Sequence, residues 1–159
     1  MGCRNEVAPA TFRDCRWTFY AMSAKCSPID SMPTGRIPDH ETLARFAYEE
    51  SYFRRSDGTV KGKAFYPDSQ GDCSVMVASD SGHSAIEAWA NRHVTPHRGG
   101  KRLLGYALVG CADVRRAGLD AEHAEPPPLH GNLVGYPQDR AEWMQRALEL
   151  ASTATFTRI

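Results

Sequence analysis

Leu43-Ala44-Arg45-Phe46-Ala47-Tyr48 is the stretch from which the fold can be read. Its side chains alternate, with Leu43, Arg45 and Ala47 on one side and Ala44, Phe46 and Tyr48 on the other. That period of two belongs to a β-strand, where successive residues point to opposite faces. Arg45 is the exception inside an otherwise apolar pattern. If it points inward it needs a partner, because an unpaired buried charge is very costly. Glu49 and Glu50 are the nearest carboxylates in sequence. An inward arginine is also what an anion-binding cleft uses.

Downstream of this strand, Tyr52 and Phe53 are apolar anchors and Ser56-Asp57-Gly58-Thr59 is a turn, since Asp-Gly supplies the positive φ that tight turns require. Lys63-Ala64-Phe65-Tyr66 reads as a short extended piece ending at Pro67. After the polar turn Asp68–Asp72, Cys73-Ser74-Val75-Met76-Val77-Ala78 reads as a largely buried strand. Ser84 and Glu87 have capping-box spacing, which predicts a helix over 84–93 burying Ile86, Trp89 and Ala90. Thr95-Pro96 closes it. Leu103–Val109 is a central strand, Val114–Leu119 a further extended piece, and Glu125-Pro126-Pro127-Pro128 a polyproline-like linker. Gly131–Tyr136 is a short strand ending at Pro137. Asp139 and Glu142 cap a C-terminal helix over 139–154, with Trp143, Ala147, Leu150 and Ala154 on its packing face. The expected fold is α+β: one small mixed or antiparallel sheet packed by two helices.

Residues 1–31 differ from the rest. They hold three of the five cysteines and show no clear period, with Trp17, Phe19 and Tyr20 as their apolar cluster. The expectation is a disordered tail or an over-extended gene start, with Met32 near the true beginning and a single domain over 36–156; the alternative is a short helix docked through Trp17 and Tyr20.

Composition narrows the function classes. Hydrophobic residues make up 42% of the 159, enough for a real core. Nineteen basic residues balance nineteen acidic ones, which disfavours a sequence-blind nucleic-acid binder, whose affinity comes from neutralising phosphates. No apolar run is long enough to span a bilayer, and the N-terminus lacks a secretory core. Glu6 stands where a myristoylation signal wants Ser or Thr. The odd cysteine count and the lack of a CxxC pair argue against a disulfide scaffold or a cysteine zinc site. The expectation is a cytoplasmic protein with reduced thiols, no cofactor and no bound metal.

His130 and Asn132 stand in the most distinctive segment, Pro126 to Pro137. Histidine at a fixed point before a strand suits a general acid or base, with Asn132 positioning a substrate. The plainer alternative is that His130 caps a carbonyl and Asn132 satisfies a turn. His93 and His97 are four apart, but Pro96 breaks the helix that a two-histidine metal site would need. His123 and His130 straddle the prolines within possible reach of Asp113. In His97-Arg98-Gly99-Gly100-Lys101-Arg102, glycines expose backbone N–H groups beside Arg98, Lys101 and Arg102, a pattern suited to an anion. It is not a Walker A loop, because Thr95 and Arg102 occupy its required Gly and Ser/Thr positions. Cys73, Ser74 and Cys111 lie in no nucleophile motif.

Ala44-Arg45-Phe46, the V-x-x-x-A-F-x-P pattern at 60–67, the strand entry from Gly71 to Val75, and H-x-N-L-V-G-Y-P at 130–137 together resemble a family of small bacterial proteins. The resemblance covers residues 36–156 and implies no particular activity. Three functions remain open. Small size, balanced charge and the lack of a catalytic motif favour a non-catalytic accessory module with a protein partner. The second is a small enzyme on a phosphate-bearing or nucleotide-like substrate, with His130 as general acid or base and Arg45, Lys101 and Arg102 holding the anion. The third is a weak nucleic-acid binder using the 97–102 loop. An enzyme predicts that His130, Asn132 and Arg45 share one concave pocket.

Overall fold

The computed structural model describes residues 35–159, so the expectations for residues 1–31 lie outside the described residues. Six strands form one antiparallel sheet: β1 (Thr42–Ala47), β2 (Cys73–Val77), β3 (Gly105–Gly110), β4 (Asp120–His123), β5 (His130–Val134) and β6 (Thr155–Arg158). Their spatial order is β4-β5-β2-β1-β3-β6. Among the described residues three α-helices accompany them: α1 (His83–His93), α2 (Cys111–Arg116) and α3 (Arg140–Thr153). The α+β class expected from the sequence is correct, and the sheet is antiparallel throughout.

The sheet separates two cores. One face carries Leu43, Val75, Val109 and Leu133 against Cys111 and Val114 of α2 and Ala147 and Leu150 of α3. The other carries Ala44, Phe46, Met76 and Tyr106 against Ile86 and Ala90 of α1. Alternation along β1 supplies both cores, which is why its period is so legible. Every residue of β2 except Ser74 is buried, as its continuous apolar run predicts.

Several local expectations are corrected. Helix α1 starts at His83 with Gly82 as its cap, and no side chain caps it. Ser84 therefore lies inside the first turn, and the Ser84–Glu87 capping box does not form. At α3 the equivalent device does form in part: Asp139 Oδ1 accepts from the Glu142 N–H at 3.0 Å. Residues Gly62–Phe65 make a 3₁₀ turn rather than an extended piece. Close packing explains this, because a Cβ at Gly62 would meet the Leu148 backbone at 3.4 Å. Residues 114–116 belong to α2, not to an extended segment. Gly110 caps that helix, its acidic residue Asp113 lies in the first turn and Arg115 and Arg116 in the last, as the helix dipole favours. Residues 125–129 turn rather than extend: the Leu129 N–H bonds Glu125 Oε1 at 2.9 Å and the His130 N–H bonds the Pro127 carbonyl at 3.1 Å. Met144 and Leu148 of α3 are exposed. Strands β4 and β6 are short, four residues each, and mostly polar, so neither shows an apolar period.

Strand β1 pairs with β3 along its whole length, from Thr42 opposite Gly110 to Ala47 opposite Gly105. On its other side it pairs with β2 only at Leu43–Val77 and Ala44–Met76. Extending that register would place Arg45 opposite Val75, yet the ladder stops before it. The sheet opens there into a seam, with β2 held instead by β5 through Cys73–Leu133 to Met76–His130.

Gly131 makes the β5 side of this arrangement possible. A Cβ there would lie 2.8 Å from Ile37 Cδ1 and 3.0 Å from the Glu122 carbonyl oxygen. Gly131→Ala should therefore lower unfolding free energy by about 1–3 kcal/mol, the usual cost of overpacking. Urea unfolding checks this; an unchanged midpoint would mean that β4 and β5 are not held this closely.

Candidate functional site

Arg45 fills the seam. Its Nε donates to the Ala64 carbonyl at 2.8 Å and Nη1 to the Ser74 carbonyl at 2.8 Å. Ser74 would offer that carbonyl to a neighbouring strand had the ladder continued; the guanidinium takes it instead. The 3₁₀ turn at Gly62–Phe65 delivers the Ala64 carbonyl. Neither carboxylate proposed as partner is used. Glu49 bonds Lys101 at 2.8 Å and Lys63 at 3.3 Å, and Glu50 pairs with Arg55. Among the described residues no ion pair involves Arg45, so two neutral carbonyls hold a half-buried, uncompensated cation.

Arg45 is also among the residues that line a cavity of about 380 Å³ beside α1. Arg45, Phe46, Ser74 and Val75 form its floor, His130 and Pro127 one wall, and Trp89, His93, Val94, His97 and Arg98 the other. Among the described residues the lining contains two arginines and three histidines and no carboxylate. A cluster of cation-capable groups without a counter-charge raises the local potential and favours an anion.

The walls are fixed by specific contacts. Trp89 Nε1 donates to the Pro128 carbonyl at 2.7 Å, tying α1 to the proline turn. Phe46 stacks beneath Trp89, with ring centroids 5.6 Å apart and an interplanar angle of 17°. Helix α1 ends at His93, and Pro96 lies within the following 3₁₀ turn Thr95–His97. That turn brings Arg98 over the Tyr48 ring at 5.3 Å, while the Tyr48 hydroxyl bonds Thr95 Oγ1 at 3.0 Å. Burial pushes the Tyr48 phenol up, so it stays protonated.

His130 has one nitrogen occupied. Nδ1 lies 2.7 Å from the Ala124 carbonyl, which can only accept, so Nδ1 carries the proton. In the neutral ring this leaves the lone pair on Nε2, and no hydrogen bond to Nε2 is present among the described residues. A histidine oriented through Nδ1 by a carbonyl is the arrangement of a positioned general base or acid.

The other sequence-derived site residues are dispersed. Asn132 lies across from Ser74 in the sheet, but does not line the cavity; its Nδ2 is 3.3 Å from Asp72 Oδ2, and its Oδ1 is buried without a partner. Lys101 is engaged by Glu49, and Arg102 lies outside the cavity lining, so of the loop's three anion-binding candidates Arg98 alone reaches it, beside His97. His123 faces away from His130, because it pairs with Gly131, the next residue along β5. Asp113 pairs with Arg116 on α2. Among the described residues no group of three His, Cys, Asp or Glu is placed to hold a metal. Burial pushes the Cys111 thiol up to about 11 and also raises Cys73, so neither supplies a thiolate. Trp89, Phe46 and His93 were legible only as core or helix-end residues; no spacing rule marks a stacked aromatic pair as a cavity wall.

Comparison with protein-family models, with curated proteins and with solved structures finds no match. Function at this site therefore rests on its own chemistry. No helix among the described residues is long and apolar enough to cross a membrane.

Glu49 gives this region a pH signature. Hydrogen bonds from Lys101 first, then from Ser51 and Lys63, lower its carboxyl from 4.5 to about 2. A carboxyl lowered by folding stabilises the native state fully above its unfolded pKa, and that contribution is lost as pH falls through the folded value. Glu49→Gln should thus be less stable than wild type near about pH 6, by under about 1 kcal/mol for an exposed cluster. The difference should shrink as pH falls below about 4.5 and be lost as it passes through about 2. Urea midpoints of both proteins across this range check it; a constant difference would rule out the ion cluster.

Proposed function

We propose that this protein binds a small phosphate-bearing molecule in the cavity between α1 and the seam, and that His130 moves a proton on it. One observation carries this: Arg45 and Arg98 line the cavity with His93, His97 and His130, and no carboxylate is among its lining residues in the described part of the chain. Arg45 and Arg98 provide the positive charge, as phosphate recognition by guanidinium groups requires. His130 Nε2 takes a proton from an attacking hydroxyl or water, or returns one to a leaving oxygen. The cavity's volume is at the lower end of small-molecule sites, roughly 300–1,000 Å³. That size suits a single phosphorylated metabolite rather than a polymer.

A protein-partner role for the same chain has a separate support. Met144 and Leu148 of α3 are exposed, with Leu148 57% accessible, and they border a shallow depression with Tyr66 and Gly62. This apolar patch is small and lies on the opposite side of the sheet from the cavity, so the two roles do not compete for residues.

Thermal unfolding of the full chain with ribose 5-phosphate separates the cavity from the basic loop. The phosphate ester should raise the midpoint of the wild type, by mass action on the native state. Arg45→Gln and Arg98→Gln should abolish the rise, whereas Lys101→Gln and Arg102→Gln should keep it. A rise lost with Lys101 or Arg102 but kept with Arg45 would transfer the site to the exposed loop and overturn the proposal.

A further inference from the structure

We infer that the ligand of this cavity carries a flat aromatic ring as well as a phosphate, and that Trp89 is the surface on which the ring stacks. This rests on the phosphate reading and adds the class: an aromatic phosphate monoester of the size of a nucleoside monophosphate.

The indole is held in place on two sides. Phe46 supports it in a near-parallel stack, and its Nε1 is held by the Pro128 carbonyl at 2.7 Å. Trp89 is nevertheless only half-buried and lines the cavity. His93 lies 5.1 Å from it, tilted by 53°, so the two rings form an angled wall rather than a closed stack. A preorganised aromatic face costs a ligand little to use, since no side chain has to be ordered on binding. Stacking on such a face tolerates any planar ring and is worth about tenfold in affinity.

The charge arrangement agrees with this. Arg45 sits at the seam on the floor, and Arg98 is held over Tyr48 on the α1 wall, the wall that also carries Trp89. A ligand whose phosphate is held by Arg98 therefore has its remaining body beside the indole on the same wall. The volume of about 380 Å³ is of the size of one base and one sugar.

Calorimetric titration of the full chain with adenosine 5′-monophosphate and with ribose 5-phosphate tests the inference. The nucleotide should bind about tenfold tighter than the sugar phosphate. Trp89→Leu should bring the ratio of nucleotide to sugar-phosphate affinity down to about one, and Trp89→Phe should retain part of the preference. Equal affinity of the wild type for both compounds would overturn the aromatic inference and leave the phosphate site standing. Failure of both to bind would overturn the phosphate site as well. The wild-type comparison decides even if Trp89→Leu does not fold.

Discussion

The contact between the Arg45 guanidinium and the carbonyls of Ala64 and Ser74 holds together the two parts of the sheet that would otherwise be joined by a ladder. A strand pair that ends early leaves buried carbonyls, and each needs a donor. Arginine meets that need from within β1 itself, because its planar fork presents several N–H groups at once. The cost is a cation in a half-buried seam with no ion-pair partner among the described residues. Such a charge is tolerable when it is solvated by dipoles on one side and open to water or an anion on the other. Arg45 is one of the residues that line the cavity.

Everything at the site is arranged around this opening. Strand β5 continues the sheet past the seam and sets His130 at its edge, with Gly131 allowing the close approach of Ile37 behind it. The proline turn before β5 receives the Trp89 indole and so fixes the distance between helix and strand. The 3₁₀ turn after α1 folds Arg98 back over Tyr48. On the far face, Tyr136 donates to the Phe65 carbonyl at 2.8 Å, and burial keeps its phenol firmly protonated. That bond fixes the end of the turn whose Ala64 carbonyl holds Arg45.

Much of the fold is legible in the sequence because burial writes a period. β1 alternates, β2 is continuously apolar, and Asp139 announces α3. Elements without a hydrophobic period were not legible: β4 and β6 are short and polar, and α2 is six residues long between glycines. The α1 start was displaced because Gly82 caps it through backbone geometry alone. For the site, Arg45 stood out as a charge inside an apolar strand, and His130 as a histidine behind prolines. Their convergence depends on which strand lies beside which, and β2 separates β1 from β5 by pairing across more than 50 residues of chain with the latter. Asn132 shared His130's face but lies along the strand beyond the cavity. Arg45's partners were unreadable because backbone carbonyls have no sequence signature. Lys101 looked free for an anion, yet Glu49, 52 residues earlier, claims it.

Resonances of the arginine Nε–H groups, followed by NMR while inorganic phosphate is added, test the central claim most directly. Arg45 and Arg98 should shift together along one saturable curve, with the Trp89 indole signal following, while Arg102 stays still. Saturable movement of Arg102 without Arg45, or no saturable movement at all, would contradict an anion site at the seam.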